Sequence, residues 1–422
     1  MILNLFQSRF KQYVKNAGIY FFTSIFVAIV GIVLNPLMAK NLDPLDYAIV
    51  GYFTSYNLLL QPLLHLCIIT FFARQYYFTP EEKRTDLEHT IAVTIVIMGF
   101  FVLVVFLAGF YLYYSNTEHT LPFWPYALLA FMQVYVGNIT TLYLTKLRIT
   151  RQANKYAIMS ISQCLITQSG MILLVVLLHK GAYGKMSAAL IASVIFAIYS
   201  CTKLFHKNHF DKQILKSALK FGYPLAIAAL FWYFLTGVDK FFLEKLNDPD
   251  TFGLYNVGVS IAGYMTICYS SISSTFEPDI YKSIAEKNNK KLLAILGIII
   301  AVTIVANLLF ALFAPQIIGL LTAGRYVDSC PYARIISLHN ITMALYTMTV
   351  SVIVGYGYVK QQLALRISGA VVSIFIYKYL IESFGFIGAA WGQVLSFLFL
   401  FVISITFLLI KVKKDSSRLS ND

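Results

Sequence analysis

Charge is what this chain has least of. Only 12% of its 422 residues are Asp, Glu, Lys or Arg, where a soluble domain carries about 25%, so half of the usual solvating surface is missing. Cysteine is sparse too. Cys67, Cys164, Cys201 and Cys268 lie within apolar runs and Cys330 stands alone in a loop. With no CxxC pair and no His/Cys cluster, neither a disulfide framework nor a zinc site is supported, and no metal or cofactor is expected. A cleavable signal peptide is not expected either, because the first apolar run starts only after Arg9, Lys11 and Lys15 and is too long for a signal-peptide core. No loop is large enough to hold a soluble catalytic domain, which argues against an enzyme.

What is present is hydrocarbon. Hydrophobic residues make up 59% of the chain and the mean hydropathy is +0.72. Apolar runs of about 20 residues recur, each long enough to cross roughly 30 Å of bilayer core. Twelve spans are expected, at about 17–39, 46–72, 89–114, 121–145, 157–179, 185–205, 217–243, 252–276, 292–314, 333–357, 362–383 and 385–410. Runs this apolar must be helical, since lipid leaves backbone groups no other partner.

The net charge of +14 invites a nucleic-acid reading, but the basic residues sit in short loops between the apolar runs, where a membrane protein places them. No nucleic-acid partner is expected. Twenty-five of the 33 basic residues fall at the N-terminus, in the loops after even-numbered spans and at the C-terminus. By the positive-inside rule both termini are cytoplasmic.

The chain also repeats itself. Shifted back by 205 positions without a gap, Lys220 falls on Lys15, Asp248-Pro249 on Asp43-Pro44, Thr275-Phe276 on Thr70-Phe71 and Glu286 on Glu81. RQANKYAIMS after the fourth span matches VKQQLALRIS after the tenth, and YGKMSAALIA entering the sixth resembles FGFIGAAWGQ entering the twelfth. The halves have six spans each and insert alike, so they form a parallel repeat of the kind found in transporters. The expected organisation is a six-helix lobe at 1–205, a cytoplasmic linker at 206–216, a second six-helix lobe at 217–411 and a cytoplasmic tail at 412–422. A cavity between two such lobes is the expected substrate site.

Ionisable residues inside spans are the best site candidates, because lipid makes them costly. Asp239 and Lys240 lie inside span seven, where the first half has Leu34-Asn35. Either Lys240 meets an anionic head group with Asp239 as its partner or proton carrier, or the two are a local ion pair that snorkels to the interface. His65 and His339 are proton-sensitive or substrate-contacting groups, or satisfied packing histidines. Asn35, Asn57, Gln61, Asn138, Thr140, Thr141, Gln163 and Gln168 point to a solvated interior or to interhelical hydrogen bonds. Arg74 with Glu277 and Asp279 on one side, and Arg325, Asp328 and Arg334 on the other, are gate candidates or interfacial anchors. Pro36, Pro62, Pro224 and Pro278 are plausible bends.

Taken in order, FGYPL opening span seven, VDKFFL ending it, DTFGLYNVG entering span eight, FEPDIYK leaving it and NLDPLDYAIVGY in the first half resemble the polysaccharide-transporter branch of the MOP (MATE-like) superfamily. Within it they are similar to Wzx-type O-antigen repeat-unit flippases. The resemblance covers nearly the whole chain. It implies an all-α, MATE-like membrane fold and a flippase that moves undecaprenyl-diphosphate-linked oligosaccharides of the O-antigen or capsule type across the bacterial inner membrane. Implied partners are that lipid-linked sugar, membrane lipids, a proton or sodium ion for coupling, and the repeat-unit polymerase and chain-length proteins. Two alternatives stay open: a MATE-like cation-coupled exporter of small molecules, and a membrane-embedded repeat-unit polymerase or glycosyltransferase. A drug exporter should place unpaired carboxylates inside its spans, and the interiors of the first six contain none. A polymerase should carry a sizeable outer loop.

Overall fold

The computed structural model describes residues 2–205 and 210–419, and their side chains except at 2–15, 17, 271, 274, 278 and 412–419. Among the described residues there is no strand, as hydrocarbon demands of a chain with open backbone groups. The first helices are α1 (Ile2–Asn41), α2 (Pro44–Ser55), α3 (Asn57–His65), α4 (Ile68–Gln75), α5 (Glu81–Ser115), α6 (Tyr126–Ile149) and α7 (Ala153–Met171). A π-helical turn, Ile172–Leu177, extends α7. Then follow α8 (Gly181–Leu204), α9 (Lys212–Thr236), α10 (Asp239–Glu244), α11 (Pro249–Ala285), α12 (Asn289–Leu312), α13 (Ala314–Leu321), α14 (Cys330–Gly355) and α15 (Val359–Leu419).

Among the described residues nine helices are long and apolar enough to cross a membrane, or ten with the bent run α2–α4 taken as one span. The protein is therefore a multi-pass membrane protein. One of the nine, α15, is two helices joined at Gly385, whose φ of 58° and ψ of −135° only glycine adopts without strain. Its arms, 359–384 and 385–411, are each about 39 Å long at 1.5 Å per residue. The 37-residue α11 is not among the nine. Twelve crossings are reached when the bent run α2–α4, α11 and both arms of α15 are each taken as crossings.

The chain divides into two compact units, residues 1–229 and 230–422, and passes from one to the other within α9. The linker expected at 206–216 falls ahead of this point; its residues 206–209 lie outside the described residues. Its second part is already helix, because the Asp211 carboxylate caps α9 by accepting from the backbone N–H groups of Gln213 (2.7 Å) and Ile214 (3.3 Å). The backbone N–H of Asp211 donates in turn to Thr90 Oγ1 (3.0 Å), which ties this cap to α5. The expected tail at 412–422 continues α15 as far as Leu419; residues 420–422 lie outside the described residues.

Each unit has its own core. In unit 1, Ile68, Phe72, Leu87, Ile91 and Leu142 are fully buried together. In unit 2, Leu235, Ile280, Ile299, Phe397 and Leu400 do the same. Large apolar side chains such as Phe22, Phe101, Val105 and Phe375 stay exposed, as on helices whose solvent is lipid. The 205-residue repeat has a structural counterpart: α2 and α11 both begin at the proline of an Asp-Pro pair, the position where a missing N–H costs nothing. Asp248 caps α11 by accepting from the Thr251 N–H (3.0 Å). In α2 the stabilising carboxylate is Asp46, which accepts from the Asp43 N–H (3.0 Å) and the Ala182 N–H (2.7 Å), joining α2 to the start of α8.

Candidate substrate sites in the two units

Unit 1 contains two uncharged clefts. One, of about 370 Å³, lies among α3, α6, α7 and α8 and is lined by Asn57, Gln61, Gln133, Asn138, Thr141 and Gln163, with Thr140 and Ser193 beside them. The other, of about 480 Å³, lies between α1 and α7, lined by Thr23, Ser24, Tyr156, Ser160, Thr167 and Gln168. Gln163 belongs to both. Six of the polar span residues singled out from the sequence thus come together in the first cleft, and Gln168 joins Gln163 in the second. Asn35 does not join them; it is half-buried in α1, one residue before Pro36.

Depth gives these groups their meaning. Asn138 stands at the middle of α6 and Ser193 at the middle of α8, while Gln163 is within a turn of the centre of the span 153–177. Polar side chains at that depth are costly unless they meet a partner, water or cargo. Several hydroxyls are spent locally: Thr141 donates to the Gly137 carbonyl (3.0 Å), Thr167 to that of Gln163 (2.8 Å) and Thr23 to that of Ile19 (2.7 Å). Three buried atoms of the first cleft have no hydrogen-bond partner among the described residues: Asn57 Oδ1, Asn138 Nδ2 and Thr140 Oγ1.

His65 sits beside this region but serves the backbone. Between α3 and α4 the chain turns by 52° through Leu66 and Cys67, both at positive φ (39° and 53°). The Cys67 N–H, freed by the break, donates to His65 Nδ1 (3.0 Å), so Nε2 carries the ring proton. The break also exposes the Leu66 carbonyl, and α9 approaches it with Gly222. A Cβ at that position would collide with the carbonyl oxygen, which is why the FGYPL stretch has glycine there.

In unit 2 the polar focus is charged. The continuous helix expected for span seven is broken at Gly237-Val238, so Asp239 and Lys240 open the short helix α10. Both are buried (0% and 8% exposed). Asp239 Oδ2 accepts from Tyr255 Oη (2.6 Å), Gln393 Nε2 (3.1 Å) and Lys240 Nζ (3.3 Å). Gln393 also donates to Tyr255 Oη (3.0 Å), and the Lys240 ammonium lies 5.8 Å from the Tyr255 ring centre. Tyr377 Oη donates to the Leu235 carbonyl (2.8 Å), occupying an acceptor near the break. The result is a carboxylate with three donors, the condition under which buried charge is tolerated.

His339 is buried in α14, edge-on to Phe397 at 4.8 Å, with Nδ1 unpartnered among the described residues. Next to it, Asn340 donates to the Ala262 carbonyl (3.0 Å) and to Asn307 Oδ1 (3.3 Å). Among the gate candidates, Arg74 is exposed at the end of α4 with its guanidinium 5.5 Å from the Phe221 ring. Exposed Glu277 accepts from Tyr281 Oη (2.9 Å), and Asp279 is half-buried. Arg325 and Asp328 are exposed before α14, with Arg325 stacked toward Tyr326 (5.7 Å). Exposed Arg334 donates from Nε to the Ala311 carbonyl (3.1 Å) at the end of α12.

Reasoning from depth and charge missed Tyr255, Tyr377 and Gln393. A signal was present for two of them: Tyr255 lies in DTFGLYNVG and Gln393 ends FGFIGAAWGQ, so stretches noticed for their pattern converge on Asp239. Gln133 and Ser193 were also missed, although each is a polar residue within a span.

A family model described as polysaccharide biosynthesis protein matches residues 13–283, more than half of the chain. An uncharacterized membrane protein of Methanocaldococcus jannaschii is 23% identical over 266 residues, which cover 59% of this chain and 63% of that relative; the match thus spans less than two thirds of the relative's length. Among solved structures, a multidrug resistance MATE family transporter of the MOP superfamily in its inward-facing conformation superposes with a TM-score of 0.71 at 16% identity, over 90% of this chain and 93% of the other. The lipid II flippase MurJ, in an inward closed conformation, gives 0.71 at 16% identity over 93% of this chain and 87% of its own. Likeness at that identity speaks for the fold. The chain belongs to the polysaccharide biosynthesis protein family, and its fold is that of the MOP-superfamily transporters.

Proposed function

We propose that this protein is a flippase for polyprenyl-diphosphate-linked oligosaccharide repeat units, of the O-antigen or capsule type, in the bacterial cytoplasmic membrane. It works by alternating access with both termini in the cytoplasm, and no bond of the cargo is made or broken. The observation that carries this reading is the neutrality of the two clefts of unit 1. Their linings are amides, hydroxyls and apolar groups, with no Asp, Glu, Lys, Arg or His among the described residues. A carrier of small organic cations needs fixed negative charge where its cargo rests; a neutral polyhydroxylated cargo needs this lining instead. Family membership supports a role in polysaccharide assembly, and a lipid flippase shares the fold.

In this reading Lys240 is the cation for the diphosphate, with Asp239 holding it in place. Arg74 with Glu277 and Asp279, and Arg325 with Asp328 and Arg334, close opposite ends of the path. His65, His339 and Asn35 are secondary contacts, and a proton or sodium gradient supplies the work.

The test is transport in sealed vesicles carrying polyprenyl-diphosphate oligosaccharide, followed by its appearance on the far leaflet with a proton gradient on or off. Wild type should move the lipid, and Lys240→Ala should not, despite normal insertion. Wild-type vesicles that leave the lipid in place but export small cations would overturn the reading in favour of a drug exporter.

A further inference from the structure

The first cleft of unit 1 has chemistry that its own helices leave unused. Three residues of its lining each carry a buried atom with no hydrogen-bond partner among the described residues: an amide oxygen (Asn57 Oδ1), an amide nitrogen (Asn138 Nδ2) and a hydroxyl (Thr140 Oγ1). Asn138 and Thr140 are each only 2% exposed. A buried polar group without a partner destabilises the fold that holds it, and this lining holds three. The set contains an acceptor, a donor and a group that is both. A phosphate offers only acceptors and an ammonium only donors, so neither satisfies all three. A sugar hydroxyl donates and accepts at once, and a ring bearing several of them does satisfy the set. Exchanging O and N in both amides together keeps one donor and one acceptor in the set.

Size and place agree. The cleft's 370 Å³ lies within the roughly 300–1,000 Å³ of ligand clefts. Its polar residues stand at the middle of their spans, the depth at which carriers hold cargo. Around them the wall continues in neutral amides, Gln61, Gln133 and Gln163, with Gln163 opening onto the second cleft.

We infer that Asn57, Asn138 and Thr140 form a carbohydrate subsite that binds one pyranose ring through its hydroxyls. The subsite deepens the flippase reading and rests on it for its biological cargo, but its chemistry can be tested separately. The probe is a panel of methyl glycosides of hexoses and N-acetylhexosamines, titrated onto the purified full-length protein in detergent and read by saturation-transfer NMR. At least one glycoside should bind wild type. Thr140→Val and Asn138→Leu should each weaken it about tenfold, the loss of one or two neutral hydrogen bonds. The same variants should melt no lower than wild type, because they remove orphaned groups rather than made bonds.

Four outcomes are distinguishable. If no glycoside binds wild type, or if Asn138→Leu/Thr140→Val binds like wild type, the subsite is wrong, whatever the vesicle assay shows. If both variants melt several degrees lower, the groups are structural, held through ordered water, and the subsite is wrong. If glycosides bind as expected while wild-type vesicles move no lipid-linked sugar, the subsite stands and the flippase reading falls. If binding and transport weaken together in variants of normal melting temperature, both stand.

Discussion

Each unit pairs a buried carboxylate with a lysine, Glu88 with Lys146 (2.6 Å) in unit 1 and Asp239 with Lys240 (3.3 Å) in unit 2, but the two differ in where their polar groups gather. At mid-span, unit 1 gathers uncharged amides and hydroxyls, three of whose atoms have no partner among the described residues. Unit 2 buries a carboxylate and surrounds it with three donors. The divergence shows at a single register. Leu34-Asn35 lies within the unbroken α1, while the positions 205 residues later, Asp239-Lys240, follow a break and open α10. A half-buried Asn needs no special arrangement. A buried Asp does, and unit 2 supplies Tyr255 from α11 and Gln393 from α15 to meet it. Satisfied polar groups hold a structure together; unsatisfied ones keep room for something else.

That contrast can be broken most forcefully at Asp239. Asp239→Ala leaves the Lys240 ammonium buried without its carboxylate and should cost about 3–5 kcal/mol, seen as a large fall in melting temperature in detergent; Asp239→Ala/Lys240→Ala should recover part of it. A double variant no better than the single would mean that Lys240 has other support. Tyr255→Phe removes one charge-assisted donor and should cost about 1.5–3 kcal/mol, provided the fold is otherwise unchanged. Gly222→Ala, by driving a methyl group into the Leu66 carbonyl, should cost about 1–3 kcal/mol and should damage unit 1. Limited proteolysis that opens the α3–α4 region faster than α14–α15 would confirm where the damage lies. At the small end, Lys282→Ala breaks an exposed pair with Glu286 (3.8 Å) and should shift stability by at most about 0.5 kcal/mol. A larger shift would show that surface charge in unit 2 is as consequential as buried charge.

Much of the fold was legible because hydrocarbon leaves few choices: apolar runs must become helices, and Asp-Pro pairs start them. The repeat marked α2 and α11 as counterparts. Breaks within spans were harder to see. Gly237-Val238 interrupts span seven without a proline, and the turn at Leu66-Cys67 comes four residues after Pro62, where the chain adopts positive φ at two non-glycine residues. The polar cluster of unit 1 was legible as a set of residues but not as a site, since only packing shows which of them share a cavity. The partners of Asp239 are 16 and 154 residues away, and no periodicity connects them. For His65 the sequence left a substrate-contacting group and a packing histidine both open; the structure adds that its Nδ1 is engaged by a backbone N–H, a contact between neighbours that no pattern announces.

Gly222 carries one more consequence. Its contact with Leu66 places α9 against a bare carbonyl, with no side chain between them to flex. Flanked by Phe221 and Tyr223, the glycine works as an index mark: α9 fits at this register, and a slip of one residue would wedge an aromatic residue into the slot. A single missing methyl group thus sets the register of the first part of α9 against the turn between α3 and α4, within unit 1.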